Sequence, residues 1–319
     1  MSDYLQVPKG TLVLPLVLRL DGSGGIDWMR YEEVVWEYVG KKGVNALFLA
    51  STTGRCHELD SRTRGKLFGR VHDICVGHGV TIMVGCMDTC LGRMLEHLHE
   101  VARRGCQMVV ASPPWYARLS QRELANDRKE GVLNVFAREA AHKGVSVVLY
   151  DIPSRAGSWL ASETIVRLAE AHENIVAVKD SSGENRAELS EVLPYFTGRE
   201  DQLLEAMQRG ASGCVSSLAH ISPQLFQRTI DLALTPEISG HRFDAQTLQS
   251  VISAGHQSFL DVSELHSGAF LPLMRYLEAC IGLKLTHPWE GFVSVPSGSR
   301  ELWRAPKLLP SIEPVWFGE

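Results

Sequence analysis

The sequence predicts an α/β chain, a (β/α)8 TIM barrel with additional C-terminal helices, and three observations predict it. Short apolar runs alternate with amphipathic stretches of helix length. Each run is apolar on consecutive residues, as a parallel strand covered on both faces must be. Eight such units fit into 319 residues, where a barrel of this kind takes about 250.

In chain order, the strands are expected at 12–18, 46–51, 81–86, 107–112, 145–150, 174–179, 193–197 and 213–216. The helix at 27–39 follows from Trp28, Tyr31, Val34, Val35 and Tyr38, which recur at three- and four-residue spacing. The helix at 61–75 begins behind Asp60 or Ser61, either of which can accept from its first free amides. Further helices are expected at 94–102, 123–141, 162–171, 186–193 and 202–208. Gly43, Gly79, Gly105 and Gly144 each follow a helix, where a left-handed residue ends it cheaply. The runner-up, a doubly wound open sheet, lacks a GxGxxG after its first strand. Residues 1–235 are therefore read as the barrel, and 236–319 as a helical extension and tail. The extension carries helical patterns at 243–260 and 269–281, and 284–319 has five prolines and little periodicity.

Composition narrows the function. Hydrophobic residues make up 45% and charged residues 22%, with a net charge of -5, so nothing points to nucleic acid or an anionic membrane. The first ten residues lack a basic segment followed by an apolar one. No apolar run approaches the ~20 residues that span a bilayer, and the chain reads as cytoplasmic. Seven scattered cysteines argue against a disulfide framework, and Cys86 and Cys90 read as buried free thiols rather than metal ligands. His97 and His99 would point to different faces of a helix. Neither a metal nor a cofactor is called for.

Barrel enzymes place their chemistry at the C-terminal ends of the strands. Strand two ends in Ser51-Thr52-Thr53-Gly54, and strand four in Pro113-Pro114-Trp115-Tyr116. Strand five ends in Tyr150-Asp151-Ile152-Pro153-Ser154-Arg155, and strand six in Lys179-Asp180-Ser181-Ser182-Gly183. Taken singly, each has a plainer reading: a solvated lysine, a packed tyrosine, a common turn, a surface arginine. Together on one face they suit imine chemistry. A neutral amine attacks a ketone, and the protonated imine then stabilises a carbanion beside it. Tyr150 is placed to move protons, the Thr52–Thr53 turn to hold a carboxylate, and Arg155 to hold a second anion.

These segments resemble the dihydrodipicolinate synthase/N-acetylneuraminate lyase family of class I, Schiff-base-forming pyruvate aldolases. Ser51-Thr52-Thr53-Gly54 is similar to the family's carboxylate-binding G-T/S-T-G-E motif, the 150–157 segment to Y-N-x-P-x-x-x-G, and Val178-Lys179-Asp180-Ser181-Ser182-Gly183 to the Schiff-base lysine segment. The resemblance spans roughly residues 10–282. It implies pyruvate, or a 2-keto acid containing it, bound as an imine to Lys179, with Tyr150, Thr52 and Tyr116 completing the catalytic set. Tyr116 would reach across a dimer interface. Thr53, Gly54, Arg155 and Val215 are the implied substrate-binding residues, and a homotetramer built as a dimer of dimers is the implied assembly.

The chain departs from the pattern in places. Arg55 stands where the family has glutamate, Cys86-Met87-Asp88 replaces a small-residue stretch, and 267–270 lacks the usual proline-rich loop. Cys56, His57 and Trp115 do not reproduce the polar set expected for lysine feedback. Arg155 favours an anionic aldehyde, as in the synthase branch. Arg55 and the 86–88 stretch favour a 2-keto-3-deoxy sugar-acid aldolase or dehydratase. An alternative of another class is a catalytically silent keto-acid-binding protein.

Overall fold

The computed structural model describes residues 4–21, 23, 25–184 and 186–264. Eight parallel strands close into a barrel in chain order: β1 (Thr11–Pro15), β2 (Ala46–Leu49), β3 (Thr81–Gly85), β4 (Met108–Ala111), β5 (Ser146–Asp151), β6 (Ile175–Asp180), β7 (Tyr195–Thr197) and β8 (Gly213–Val215). β8 returns to β1, pairing Thr11 with Gly213. Nearly every strand residue is buried, because one face fills the barrel and the other meets the helices.

The helices are α1 (Trp28–Trp36), α2 (Ser61–Cys75), α3 (Leu91–Arg103), α4 (Gln121–Leu124), α5 (Val132–Ala141), α6 (Pro153–Ala156), α7 (Ser162–Ala171), α8 (Leu203–Gln208), α9 (Pro223–Leu234) and α10 (His241–Glu264). α2 and α7 coincide with the expected bounds. At α2 the Asp60 carboxylate accepts from Thr63 N–H at 2.7 Å and fixes the start.

Three expectations need correction. The helix expected at 123–141 is two helices. A Ser120–Glu123 capping box starts α4, and a polar turn then intervenes before α5. Asn134 Oδ1 accepts from Asn126 N–H at 3.0 Å, and Asn126 Oδ1 from Glu130 N–H at 3.1 Å, so two asparagines hold the interruption. The stretch 186–193 shortens to a 3-10 turn, Ala187–Glu191. Sequence reading also passed over α9, although Ser222 caps it and Pro223 opens it, which is favourable at a first helical position. α10 packs along α9. The helix expected at 269–281, the 267–270 loop and the 284–319 tail lie outside the described residues.

Two fully buried polar side chains fasten the loops above β2 and β3. Arg64 donates to the carbonyls of Leu59, Cys56, Gly85 and Met87, so the start of α2 is tied to the end of β3. His97 lies between Ser61 Oγ at 2.8 Å and Asp88 Oδ2 at 2.9 Å, which makes it a structural bridge. Cys86 is a buried thiol as expected, whereas Cys90 is exposed at the start of α3, where the chain turns outward.

Burial pulls the His97 and His220 imidazoles down from 6.5 to about 4. A histidine held neutral in the fold protonates more readily once unfolded. Its contribution is therefore intact above pH 6.5 and is lost as pH falls toward 4. Between about pH 7.5 and about pH 5 each should cost roughly 2 kcal/mol of stability. Urea midpoints across that range should fall, and His97→Gln should flatten the dependence. A variant with the wild-type slope would remove His97 from the account.

Candidate active site

The strand pair β5–β6 builds the centre. Tyr150 and Lys179 are direct neighbours in register, as are Asp151 and Asp180. Side chains alternate across a strand, so Tyr150 and Lys179 share the barrel interior. Lys179 Nζ sits 4.0 Å from the centroid of the Tyr150 ring and 5.5 Å from that of Phe48. The Phe48 and Tyr150 rings meet edge-on at 6.4 Å. Lys179 is 7% exposed and makes no ion pair among the described residues, so its amine is not engaged by a carboxylate. Val13, Val110, Phe196 and Val215 line the apolar space beneath it.

Above β2 the chain turns sharply. Ala50 has φ +47°, and Ser51 Oγ accepts from Gly54 N–H at 2.9 Å, closing the turn that carries Thr52 and Thr53. The hydroxyls of Thr52, Thr53 and Tyr150 make no hydrogen bond among the described residues. Such groups, left unspent at a strand-end face, are available to a ligand. Arg55 follows at φ +55°, buried and paired with Glu58. Left-handed non-glycine residues carry backbone strain, and strain of this kind gathers where function requires it.

Two expected residues are exposed on this chain. Tyr116 is 98% exposed, at φ +74° in a three-residue turn closed by Ala117 N–H to Trp115 carbonyl at 2.9 Å. Arg155 is exposed on α6, the single turn that follows β5.

The structure also supplies groups that sequence reading missed. Gly198 follows β7 so closely to Lys179 that a β-carbon there would lie 3.2 Å from its Cε. Glu200 is buried, accepts from Ser216 Oγ at 3.0 Å, and lies 3.6 Å from His256 Nδ1 on α10; its carboxylate raises the His256 pKa. Gln249, also on α10, accepts from Leu204 N–H at 2.8 Å and donates to the carbonyls of Glu200 and Asp201. Gly198, Glu200 and Ser216 stand at the ends of strands seven and eight, the same strand-end position that marks the other site residues in the sequence.

Behind the reacting face, Asp151 and Asp180 are buried with Arg186. Burial pushes the Asp151 carboxyl up to about 6 against the pull of Arg186, with Asp180 and Glu184 adding to the rise. One guanidinium serves several carboxylates there.

Comparison with known proteins agrees with this architecture. Residues 9–266 match the model of the dihydrodipicolinate synthetase family. The 4-hydroxy-tetrahydrodipicolinate synthase 1 of Streptomyces coelicolor is 29% identical over 235 residues, 72% of this chain and 73% of that protein. The crystal structure of dihydrodipicolinate synthase DapA-2 from Bacillus anthracis has a TM-score of 0.79 at 23% identity, covering 94% of this chain and 97% of that one. The chloride-inhibited dihydrodipicolinate synthase from Acinetobacter baumannii, complexed with pyruvate, has a TM-score of 0.78 at 22% identity, covering 93% and 97%. No helix among the described residues is long and apolar enough to cross a membrane. With a family model matched across the whole barrel, the chain belongs to the dihydrodipicolinate synthetase family of class I, Schiff-base lyases.

Proposed function

We propose that Lys179 forms an imine with pyruvate, or with a 2-keto acid containing the pyruvate unit, and that the enzyme makes or breaks the adjacent C–C bond. The observation that carries this reading is the register pair of Tyr150 and Lys179, with an unpaired amine 4.0 Å over the tyrosine ring and free hydroxyls at the same end of the barrel. The A. baumannii relative crystallised with pyruvate supports the substrate class.

In this scheme Nζ adds to the C2 carbonyl carbon and the carbinolamine loses water to leave a protonated imine. Loss of a C3 proton gives an enamine, whose C3 attacks an aldehyde carbon; the reverse sequence cleaves the bond. Tyr150 carries protons to and from the carbinolamine oxygen. The turn at Thr52, Thr53 and Gly54 receives the keto-acid carboxylate through hydroxyls and backbone N–H groups. Val215 forms part of the apolar wall, and Arg155 meets an anionic acceptor. Tyr116, strained and bare on one chain, suits a role inside a neighbouring subunit's site, within a homotetramer. Among the described residues from 236 onward, α10 acts as a helical extension to the barrel, and the compartment is the cytoplasm.

A second reading, a 2-keto-3-deoxy sugar-acid aldolase or dehydratase, draws on Glu200. A buried carboxylate beside Ser216 suits substrate hydroxyls better than a second substrate carboxylate. The test is a paired assay: pyruvate consumption with aspartate semialdehyde, and conversion of a panel of 2-keto-3-deoxy sugar acids, read as released pyruvate for an aldolase or as the dehydrated keto acid for a dehydratase. Turnover in the first arm favours the synthase reaction, and in the second the sugar-acid reaction. Pyruvate-induced thermal stabilisation with turnover in neither arm would leave the silent binding protein.

A further inference from the structure

We propose that Arg186 is a positioning residue for the Tyr150–Lys179 pair, bolting β5 to β6 immediately behind the reacting face. This rests on the reading that Lys179 is the reacting amine. Asp151 follows Tyr150 and Asp180 follows Lys179, and the two aspartates are partners in the β5–β6 register. Strand alternation turns them to the outer face, opposite the amine and the phenol.

Arg186, fully buried, reaches both. Its Nη2 donates to Asp151 Oδ2, and its Nε stands 3.4 Å from Asp180 Oδ2. The other carboxylate oxygens are already held. Asp180 Oδ1 accepts from Ser182 N–H at 2.9 Å and Ser182 Oγ at 2.7 Å, and Asp151 Oδ1 accepts from Leu160 N–H at 3.0 Å. Glu184 lies 3.5 Å from Nη2, and Ser162 Oγ accepts from Nη1 at 3.3 Å.

The guanidinium thus donates to the β5 carboxylate and stands within ion-pair distance of the β6 carboxylate, one residue beyond the pair whose separation the chemistry depends on. A lysine supplies the charge but not the span, since an ammonium is a compact point donor. Truncation would leave two buried carboxylates side by side, and their repulsion would open the strands at that level. Displacements of about 1 Å at a reacting pair cost on the order of 100-fold in rate.

The experiment measures how fast pyruvate and borohydride modify Lys179 in the full chain, by peptide mass spectrometry. In Arg186→Lys the limiting rate should fall by about 10- to 100-fold, while the half-saturating pyruvate concentration stays as in wild type, because the carboxylate turn is untouched. A variant that modifies at the wild-type rate overturns the proposal. So does one whose whole loss lies in pyruvate affinity. If the lysine variant does not fold, the neutral Arg186→Met/Asp151→Asn/Asp180→Asn chain serves instead, with the same expected and overturning results.

Should wild type itself fail to react at Lys179, the imine reading falls and crystal structures decide the positioning claim. Displacement of Nζ from its place over the Tyr150 ring in Arg186→Lys supports it, and an unchanged pair overturns it.

Discussion

Lys179→Ala should abolish borohydride-dependent capture of pyruvate and lower turnover by at least about 10⁴-fold, the scale seen when a covalent nucleophile is removed. The loss should be chemical rather than structural. Lys179 is buried without an ion pair among the described residues, and its neighbours are aromatic rings and aliphatic walls. Placing an amine there costs folding free energy instead of supplying it. The alanine variant should therefore melt no lower than wild type. Lys179→Arg, which keeps a cation that cannot form the imine, should be equally inactive. Activity surviving in either variant, or an adduct found on another lysine, would remove Lys179 from its role.

Tyr150→Phe should lower turnover by about 10²- to 10⁴-fold while leaving the fold intact. The ring beneath Lys179 Nζ and its edge contact with Phe48 both survive the change. The lost hydroxyl has no partner among the described residues, so its removal strands no buried donor or acceptor. Tyr150→Ala differs in kind, because it empties the ring's volume and should destabilise by roughly 3–5 kcal/mol. Comparing turnover with denaturation midpoints for the two variants separates proton transfer from packing. Full activity in Tyr150→Phe would assign the proton to another group.

Much of the barrel was legible because parallel strands covered on both faces leave uninterrupted apolar runs, and because caps such as Asp60 carry their own chemistry. The interruption between α4 and α5 was not. Its cause is a set of asparagine side-chain bonds to backbone amides, and the only local trace is the wholly polar run 126–131, which a helix with a solvated face also tolerates. The meeting of Lys179 with Tyr150 could be anticipated, since both end consecutive strands. The place of Arg186 could not, because nothing local says that an arginine after β6 turns inward to two aspartates. Tyr116 marks another limit: its position after β4 was readable, but its full exposure on the chain was not.

The closure of β1 on β8 has a consequence for how the site comes into being. Tyr150 and Lys179 face each other across a single strand–helix–strand unit, so their pairing needs only a short stretch of chain. The ring, in contrast, closes by joining residue 11 to residue 213. Closing so long a loop is entropically slow, even though its cost grows only with the logarithm of length. The Tyr150–Lys179 pair can therefore assemble early, and the apolar walls around it, Val13 of β1 and Val215 of β8 among them, are complete only when the two ends of the barrel find one another.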